Sequence, residues 1–178
     1  MIISLIDDMW YVVWTLTGRE KKAESTINTQ CKDLYSRCFL PLKRISIKRN
    51  NEWRTIEKAL FPGYLFIDTD SIDDFAVKLN KNGELFCKVL DCDNSYYPLN
   101  EEESGFVEKL YVDGGFFDPS VGIFEGDRIK ITSGPLYGME GAIKKIDRHK
   151  RTARIELNMF GRTVKSTVGL EIIEQLSQ

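Results

Sequence analysis

The densest group of ionisable side chains in this sequence of 178 residues lies between Lys144 and Arg154. All of its charged members except Asp147 are cations, so the group is strongly basic. Clustered cations repel one another, and an RNA or DNA backbone is their natural counterpart. A merely solvated turn is the alternative. Together with two cations further along the chain, the candidate RNA-binding residues are Lys144, Lys145, Arg148, His149, Lys150, Arg151, Arg154, Arg162 and Lys165.

The composition of this basic run also predicts the form of the nucleic acid. The run reads as a β-hairpin, with Asp147 to Arg151 at its tip. It contains no Phe, Tyr or Trp, whereas proteins commonly bind single strands by stacking the bases on such rings. A compact basic hairpin therefore favours double-stranded or hairpin RNA, which proteins recognise through its shape and its phosphates.

Aromatic residues form a second candidate binding surface. Alternate residues of a strand face opposite sides of a sheet, so the aromatic side chains near the start of the chain cannot all enter one core. Most of them are expected in the core, together with Val12, Leu65 and Ile67. Tyr64 follows a Pro-Gly break and is predicted to line an apolar patch for a partner helix. The aromatic set is Trp10, Tyr11, Trp14, Phe61, Tyr64 and Phe66.

The sequence offers no set of residues for catalysis or metal binding. It has no Gly-rich phosphate loop ending in Gly-Lys-Ser/Thr and no paired-histidine metal motif. Its only histidine, His149, lies among cations and is a poor general base. Cys87 and Cys92 have only loosely the spacing of zinc ligands, and no second pair follows. We therefore expect a non-enzymatic protein with free thiols, no metal site and no cofactor.

The hydrophobic periodicity predicts an α+β domain with an antiparallel sheet in the first part of the chain. Aromatic and β-branched runs indicate strands, and apolar residues three or four positions apart indicate helices. Asn100, with Glu103 three residues on, is the signature of a capping box and predicts where the last helix begins. The predicted strands are 10–16, 39–48, 53–60, 64–67 and 85–90, and the predicted helices begin at Arg19, Ser71 and near Asn100.

The second part of the chain reads as all-β. Five short predicted strands can bury a core only by curling into a small barrel. The segment from Gly114 to Ser120 contains glycine and proline and is the predicted boundary. We expect a first domain at 9–113, a linker at 114–123 and a barrel at 124–178. The predicted strands of the barrel are 128–132, 142–146, 153–157, 163–167 and 170–173.

Charge and hydropathy limit the compartment and the partners. The first part of the chain is acidic and the second is basic, which is typical of two units with different partners. No apolar run approaches the roughly 20 residues that cross a bilayer. The start of the chain lacks the basic residues and the cleavage site of a signal peptide. We expect a cytoplasmic monomer that does not bind membranes.

Taken in order, several motifs resemble the NusG family of transcription elongation factors. Each motif is weak alone, but their order and spacing together are highly specific and extend over nearly the whole chain from Trp10 onward. The resemblance implies an NGN-like first domain and a second domain that is an SH3-like β-barrel of the KOW type. The motifs are Trp10-Tyr11-Val12-Val13, Gly18, Phe61-Pro62-Gly63-Tyr64, Gly126-Asp127-Arg128-Ile129, Gly134-Pro135, Gly141 and Met159-Phe160-Gly161-Arg162.

The resemblance also implies two protein-binding surfaces. The first domain of such factors docks on the clamp helices of RNA polymerase, here through Tyr11, Phe61 and Tyr64. Docking holds the clamp closed and shifts the polymerase between states without making or breaking a bond. The second domain of general members binds ribosomal protein S10 or the termination factor Rho. The residues at the matching positions are Leu136, Met139 and Phe160.

The basic run departs from the general family pattern, since general members carry a more mixed charge there. It is more similar to LoaP, a specialised branch that promotes antitermination of long operons and is recruited by an RNA hairpin in the transcript leader. This likeness weakens the expectation of binding to S10 or Rho. The expected partners are RNA polymerase and a leader RNA hairpin, with non-template DNA as a further candidate.

Three functions stay open from the sequence. The leading one is a specialised antiterminator that binds RNA polymerase and leader RNA. The second is a general NusG-like elongation or termination factor without specific RNA recruitment. The third is a ribosome-associated RNA-binding protein of the KOW type, and the motif from Phe61 to Tyr64 argues against it.

Overall fold

The computed structural model describes residues 9–81 and 87–173. No helix in these two ranges is long and apolar enough to cross a membrane. The helices are α1 (Glu20–Gln30), α2 (Ile72–Lys81) and α3 (Glu101–Val112), with short 3-10 turns at Lys32–Leu34 and Glu140–Ala142. The strands are β1 (Trp10–Thr15), β2 (Arg37–Phe39), β3 (Leu42–Arg49), β4 (Glu52–Ala59), β5 (Tyr64–Asp68), β6 (Cys87–Val89), β7 (Phe116–Phe117), β8 (Ser120–Glu125), β9 (Arg128–Ser133), β10 (Ile143–Asp147), β11 (Thr152–Met159) and β12 (Arg162–Ile172).

The chain divides into two compact units, each of which combines two separate segments of the sequence. The first unit contains Met1–Leu40 and Pro62–Gly115, and the second contains Pro41–Phe61 and Phe116–Gln178. This division differs from the predicted domains, which put the hairpin β3–β4 in the first one. The hairpin belongs to the second unit because β3 pairs in parallel with β7. The predicted linker, 114–123, contains β7 and the beginning of β8.

The first unit is an antiparallel sheet with flanking helices, as the periodicity predicts. Its strands lie in the order β2-β5-β1-β6, and every neighbouring pair is antiparallel. Trp14 lies opposite Tyr64 across the β1–β5 ladder, and Tyr11 lies opposite Ile67. Residues opposite each other share a face, and the faces alternate along a strand. Tyr11 and Tyr64 therefore lie on opposite faces of the sheet.

Helix α3 begins where the sequence predicts and contacts the sheet through Trp10. The Glu103 N–H donates to Asn100 Oδ1 at 2.9 Å, and the Asn100 N–H donates to Glu103 Oε2 at 3.2 Å. These two bonds complete the predicted capping box. Trp10 Nε1 donates to Glu108 Oε2 of the helix at 3.1 Å. The helix therefore covers the face of the sheet that contains Trp10.

An ion network joins α3 to the sheet of the first unit. Arg37 lies 2.9 Å from Asp68 and 2.7 Å from Glu108, measured between nitrogen and oxygen. Its guanidinium carbon also lies 4.7 Å from the centroid of the Trp10 ring. The Arg37 and Asp68 side chains are 21% and 10% exposed, so water screens their attraction only in part. The cation of this network therefore has carboxylates directly beside it.

The second unit contains two sheets. One has the order β10-β11-β12-β8-β9, in which only β12 and β8 pair in parallel, and the other has the order β4-β3-β7. The predicted strands at 163–167 and 170–173 are one strand, β12. It is continuous because Arg162 to Gly169 pair with β11 and the residues that follow pair with β8. The all-β character of this region is confirmed, while β8 falls in the segment that the sequence predicts as a linker.

The turn at Gly134 closes the core of the second unit. Gly134 has a φ of +94°, and a Cβ at this position would lie 2.6 Å from the Cα of Ser120. Only glycine fits both the backbone angle and the space. The Leu136 N–H donates to Ser120 Oγ at 3.0 Å, and the Leu136 side chain is completely buried. The Gly-Pro motif therefore has a structural role in this fold.

Candidate nucleic-acid interface

The basic run of residues 144–154 forms a β-hairpin, as the sequence predicts. Asp147 lies opposite Thr152 at the end of the β10–β11 ladder. The Lys150 N–H donates to Asp147 Oδ1 at 2.9 Å and closes the turn. Arg151 has a φ of +51°, the left-handed conformation that tight turns use. The single acid of the run therefore stabilises the turn, while the cations extend along both strands and the tip.

Most of the predicted RNA-binding side chains are exposed to solvent. Arg151 is the exception, since its side chain is half-buried. Arg162 is exposed but lies opposite Met159, at the far end of the β11–β12 ladder from the hairpin tip. Seven residues separate that end from Thr152, so Arg162 lies about 23 Å away along the strand. The exposed cations are Lys144, Lys145, Arg148, Lys150, Arg154, Arg162 and Lys165, and His149 is exposed with them.

Three neighbouring strands carry cations on one face. Lys145 of β10 lies opposite Arg154 of β11, and Arg154 lies opposite Thr167 of β12. Lys165 is two residues before Thr167 and therefore projects from the same face. Glu156 lies opposite Lys165, with 3.4 Å between the charged atoms. The register thus places three cations side by side, with one carboxylate to offset them.

Two arginines of the hairpin are held against aromatic rings. The guanidinium carbon of Arg148 lies 4.3 Å from the centroid of Phe124, and that of Arg151 lies 4.4 Å from the centroid of Trp53. Arg151 also lies 3.6 Å from Glu171. A stacked guanidinium has less freedom to lose when it binds an anion. Sequence reasoning missed Trp53, since this residue lies far from the basic run and in the other hairpin.

The structure separates the three residues predicted to dock on the polymerase. Tyr11 is 5% exposed and Phe61 is 2% exposed, so both are core residues. Burial is also the main cause that raises the pKa of Tyr11, with a smaller contribution from Asp73 of α2. Tyr64 is half-buried and lies on the other face of the sheet from Tyr11. The expectation of one exposed face made from all three is therefore wrong, and a docking role stays a prediction for Tyr64.

The predicted partner-protein surface of the barrel also changes. Leu136 is completely buried, so it belongs to the core and not to a surface. Met139 and Phe160 are half-buried. The exposed aromatic side chain of this turn is Tyr137, which is 69% exposed. The apolar character of Leu136 is visible in the sequence, but the hydrogen bond from its backbone to Ser120, 16 residues earlier, is not.

Metal ligation and thiol chemistry find little support in the described residues. No group of three or more His, Cys, Asp or Glu in these residues could hold a metal ion. Cys31 and Cys87 are buried, and burial raises the pKa of both thiols, that of Cys87 to about 12. Desolvation likewise raises the pKa of Cys38. These thiols are therefore protonated at neutral pH and weak as nucleophiles.

Comparisons with known proteins agree with the two parts of the fold. A family model described as "Transcription termination factor nusG" matches residues 8–106, and a model described as "KOW motif" matches residues 125–158. A solved structure described as "Domain interaction in Thermotoga maritima NusG" is similar with a TM-score of 0.58 at 20% identity. The similarity covers 91% of this chain and 93% of that one. At this identity it shows the fold alone.

Several curated relatives are similar along nearly the whole chain, and each is named "Transcription termination/antitermination protein NusG". The protein from Borreliella burgdorferi is 27% identical over 94% of this chain and 98% of its own length. The protein from Streptococcus pyogenes serotype M1 is 27% identical over 98% of this chain and 100% of its own. The protein from Thermus thermophilus is 25% identical over 86% and 90%.

Proposed function

Because the chain belongs to the NusG family of transcription termination and antitermination factors, we propose that it is a specialised antiterminator that a leader RNA hairpin recruits to RNA polymerase. The observation that supports this proposal is the exposed cationic face on β10, β11, β12 and the turn between β10 and β11. Such a face attracts a polyanion. Cations spread along a hairpin and the neighbouring strand suit the phosphates of a helical RNA, which proteins recognise by shape and backbone contacts.

The stacked arginines support RNA recognition over a general attraction to anions. Arg148 rests on Phe124 and Arg151 on Trp53, so both guanidiniums are oriented before RNA arrives. Arginine presents a planar fork that binds phosphate through two parallel hydrogen bonds. Orienting that fork in advance lowers the entropy that binding costs. We therefore assign to these two arginines the recognition of RNA shape, and to the lysines a less directional attraction.

The first unit would supply the contact with RNA polymerase. Tyr64 is the remaining candidate of the predicted docking residues, since it is half-buried while Tyr11 and Phe61 are buried. The factor makes and breaks no bond in this proposal. It favours the elongating state of the polymerase by as much as its affinities for the two states differ. RNA then raises the local concentration of the factor at one operon.

A test compares the full-length protein with a variant that lacks three exposed cations of the hairpin. We expect Lys145→Gln, Arg148→Gln and Lys150→Gln together to lower the affinity for the leader RNA of the neighbouring operon about 100-fold at 0.1 M salt. The salt slope of binding should also fall by roughly 0.7–0.9 for each phosphate that the variant no longer neutralises. The matched control replaces Lys21, Lys22 and Lys32, three exposed lysines of the first unit, with glutamine. Equal reductions in the two variants would contradict the proposal.

Polymerase binding supplies the reciprocal arm of the same experiment. The hairpin variant should bind RNA polymerase as the unchanged protein does, and Tyr64→Ala should bind polymerase more weakly while RNA affinity stays the same. A scrambled RNA of equal length is the specificity control. If every RNA binds weakly and equally, the function is that of a general NusG-like factor. The near full-length similarity to relatives named for both termination and antitermination favours this second candidate.

A further inference from the structure

A cavity of about 350 Å³ lies beside the basic hairpin, within the second unit. Its position follows from the register, since Arg154 and Thr167 face each other across β11 and β12. Lys43 lines it from β3. This strand belongs to the second unit, although in the sequence it lies between the two segments of the first unit. The volume is at the lower end of what small-ligand sites occupy, about 300–1,000 Å³. The lining residues are Lys43, Arg154, Lys165, Ser166 and Thr167.

The lining of this cavity is cationic and hydroxylic. Of its five described residues, three are cations and two carry hydroxyl groups, and none carries a carboxylate. Glu156 offsets only Lys165, at 3.4 Å. Cations that share one cavity repel each other, and an anion with several acceptor oxygens relieves that repulsion. A phosphate group provides such oxygens and can accept from lysine, arginine and hydroxyl donors at once.

Lys43 places a buried positive charge on the core side of the cavity, because Ser166, which accepts its hydrogen bond, faces the opposite side of β12 from Lys165 and Thr167. Lys43 is 7% exposed, and its Nζ donates to Ser166 Oγ at 3.0 Å. Ser166 in turn donates to the Leu60 carbonyl oxygen at 2.7 Å, so its oxygen is free to accept from Lys43. An ammonium group has three N–H donors. Within the part of the chain that the structure describes, no carboxylate forms an ion pair with Lys43.

A buried ammonium without a counter-ion is costly, and that cost explains the direction of its pKa. Burial lowers the pKa of Lys43, and the neighbouring charge of Lys58 lowers it further. A bound anion would reverse both effects, because it replaces the lost water and offsets the positive charge. The geometry is therefore that of a site whose charge is balanced by a ligand.

The cavity is continuous with the proposed RNA surface. Arg154 is two residues from the start of β11 at the hairpin tip, a distance of about 7 Å along the strand. Lys145 lies directly opposite Arg154 on the other side. An RNA strand that follows the hairpin can therefore place one of its phosphates over the cavity. A second hairpin, β3–β4, then takes part in RNA binding through Lys43.

We infer that this cavity binds a phosphate group, and that in the working protein the phosphate belongs to the RNA backbone. The source of the phosphate rests on the proposed function, whereas the affinity for phosphate rests on the cavity alone. Arg154 and Lys165 supply exposed charges, Thr167 supplies a hydroxyl donor at the rim, and the buried charge of Lys43 acts on the phosphate from the core side of β12. The inference extends the RNA interface to residues that the basic run does not contain.

Two variants of the full chain test the role in RNA binding. Thr167 is exposed, so Thr167→Glu places a carboxylate at the rim of the cavity without disturbing the core. Lys43→Met removes the buried charge. We expect each to lower the affinity for the leader RNA about 5- to 10-fold and to reduce the salt slope by roughly 0.7–0.9, the value for one neutralised phosphate. Should Lys43→Met fail to fold, Thr167→Glu alone carries the test.

The matched control for the added carboxylate is Thr163→Glu. Thr163 is exposed on the same face of the same strand, four residues or about 13 Å away. Both positions are two residues from Lys165, so the two carboxylates affect that cation alike. Only Thr167 lies opposite Arg154, and at 0.1 M salt the separation from Thr163 exceeds the Debye length of about 10 Å. RNA affinities for Thr167→Glu and Thr163→Glu that are equal would overturn the inference while the proposed function, tested by the hairpin variant, stands.

A titration with inorganic phosphate separates the cavity from the source of its ligand. Backbone amide signals of Ser166 and Thr167 in the full-length protein should shift and saturate, and the shifts should vanish in Thr167→Glu but persist in Thr163→Glu. Saturation without any RNA binding would reject the proposed function and leave a site for free phosphate. Unshifted signals, together with an unchanged RNA affinity of Thr167→Glu, would reject the cavity as a phosphate site.

Discussion

Each unit of this protein contains a largely buried cation, and the two cations differ in their partners. In the first unit Arg37 lies between Asp68 and Glu108, at 2.9 Å and 2.7 Å. In the second unit Lys43 donates to a serine hydroxyl and meets no carboxylate among the described residues. The first arrangement is complete and stabilises the fold. The second leaves a positive charge to be balanced, which is the property expected of a surface that binds an anion.

The contrast extends to the surfaces around the two cations. Arg37 contacts two described rings of the first unit, of which Trp10 is completely buried and Tyr111 is half-buried. The aromatic rings that contact arginines in the second unit lie next to solvent, and Trp53 is 37% exposed. Similar pairs of guanidinium and ring therefore stabilise a core in one unit and orient a binding group in the other.

Breaking the ion network of the first unit should have the largest effect on stability. Arg37→Met leaves Asp68 and Glu108 partly buried and close together without a cation, which should lower the free energy of unfolding by about 3 kcal/mol. Urea unfolding followed by circular dichroism measures the change. Lys78→Met is the control, because it removes the exposed ion pair with Asp33 and should cost less than about 1 kcal/mol. Equal decreases would remove the distinction between the two kinds of ion pair.

The equivalent substitution in the second unit should not lower the free energy of unfolding. Lys43→Met removes a buried charge without a counter-ion, and the side chains have similar volumes. Ser166 keeps its hydrogen bond to Leu60, so no buried polar group loses its partner. In the absence of RNA we expect the unfolding free energy to stay the same or to rise by about 1 kcal/mol. A decrease as large as that of Arg37→Met would mean that Lys43 stabilises the fold as Arg37 does.

The pH dependence of stability should reveal the same charge. The pKa of Lys43 is lowered in the folded protein, so between that pKa and the unfolded value near 10.4 the unfolded chain binds more protons. Stability should therefore rise with pH across that interval, as the buried ammonium loses its proton. Lys43→Met should lack this rise. Identical pH profiles for the two proteins would place the titration elsewhere.

Removing the Trp53 ring, which contacts Arg151, should have the smallest effect of these changes, and the effect should be on RNA affinity. Trp53→Leu keeps an apolar side chain but ends the cation–π contact, worth about 0.5–1 kcal/mol at an exposed site. We expect the affinity for the leader RNA to fall 2- to 5-fold. The substitution should have no further effect in an Arg151→Gln background if the ring acts only through that guanidinium. Additive effects in the double variant would instead indicate that Trp53 contacts RNA by itself.

Local patterns predicted the elements that depend on neighbouring residues. The capping box at Asn100, the basic hairpin and the strand beginning at Trp10 are all in the structure, since each is determined by contacts a few residues apart. The antiparallel sheet of the first unit and the all-β second part also agree with the periodicity. Periodicity therefore predicts the fold class and many of the elements, but it missed β8 and divided β12 into two strands.

Local patterns did not predict which side chains are buried or on which face of a sheet they lie. Both depend on contacts between residues that are distant in the sequence. Tyr11 and Tyr64 lie on opposite faces because Trp14, and not Tyr11, is opposite Tyr64. The Leu136 side chain is completely buried, and its backbone donates to Ser120, 16 residues earlier in the chain. Lys43 alternates with Ile45 and Ile47 on one face of its strand, but its hydrogen-bond partner, Ser166, lies 123 positions further along the chain. The candidate site was thus predicted as a list of cations, without the cavity.

Because the second unit is formed by two separate segments, it cannot complete its fold until late in synthesis on the ribosome. Synthesis proceeds at about 5–20 residues per second, so Lys43 waits roughly 6–25 seconds for Ser166, 123 positions later. Throughout that interval β3 has its partner β4 but lacks β7, and its other edge is open to the wrong strand. The charged residues Lys43 and Arg44 on β3 oppose such pairing during the delay. Charges on this strand therefore also reduce the tendency of the nascent chain to pair with other strands.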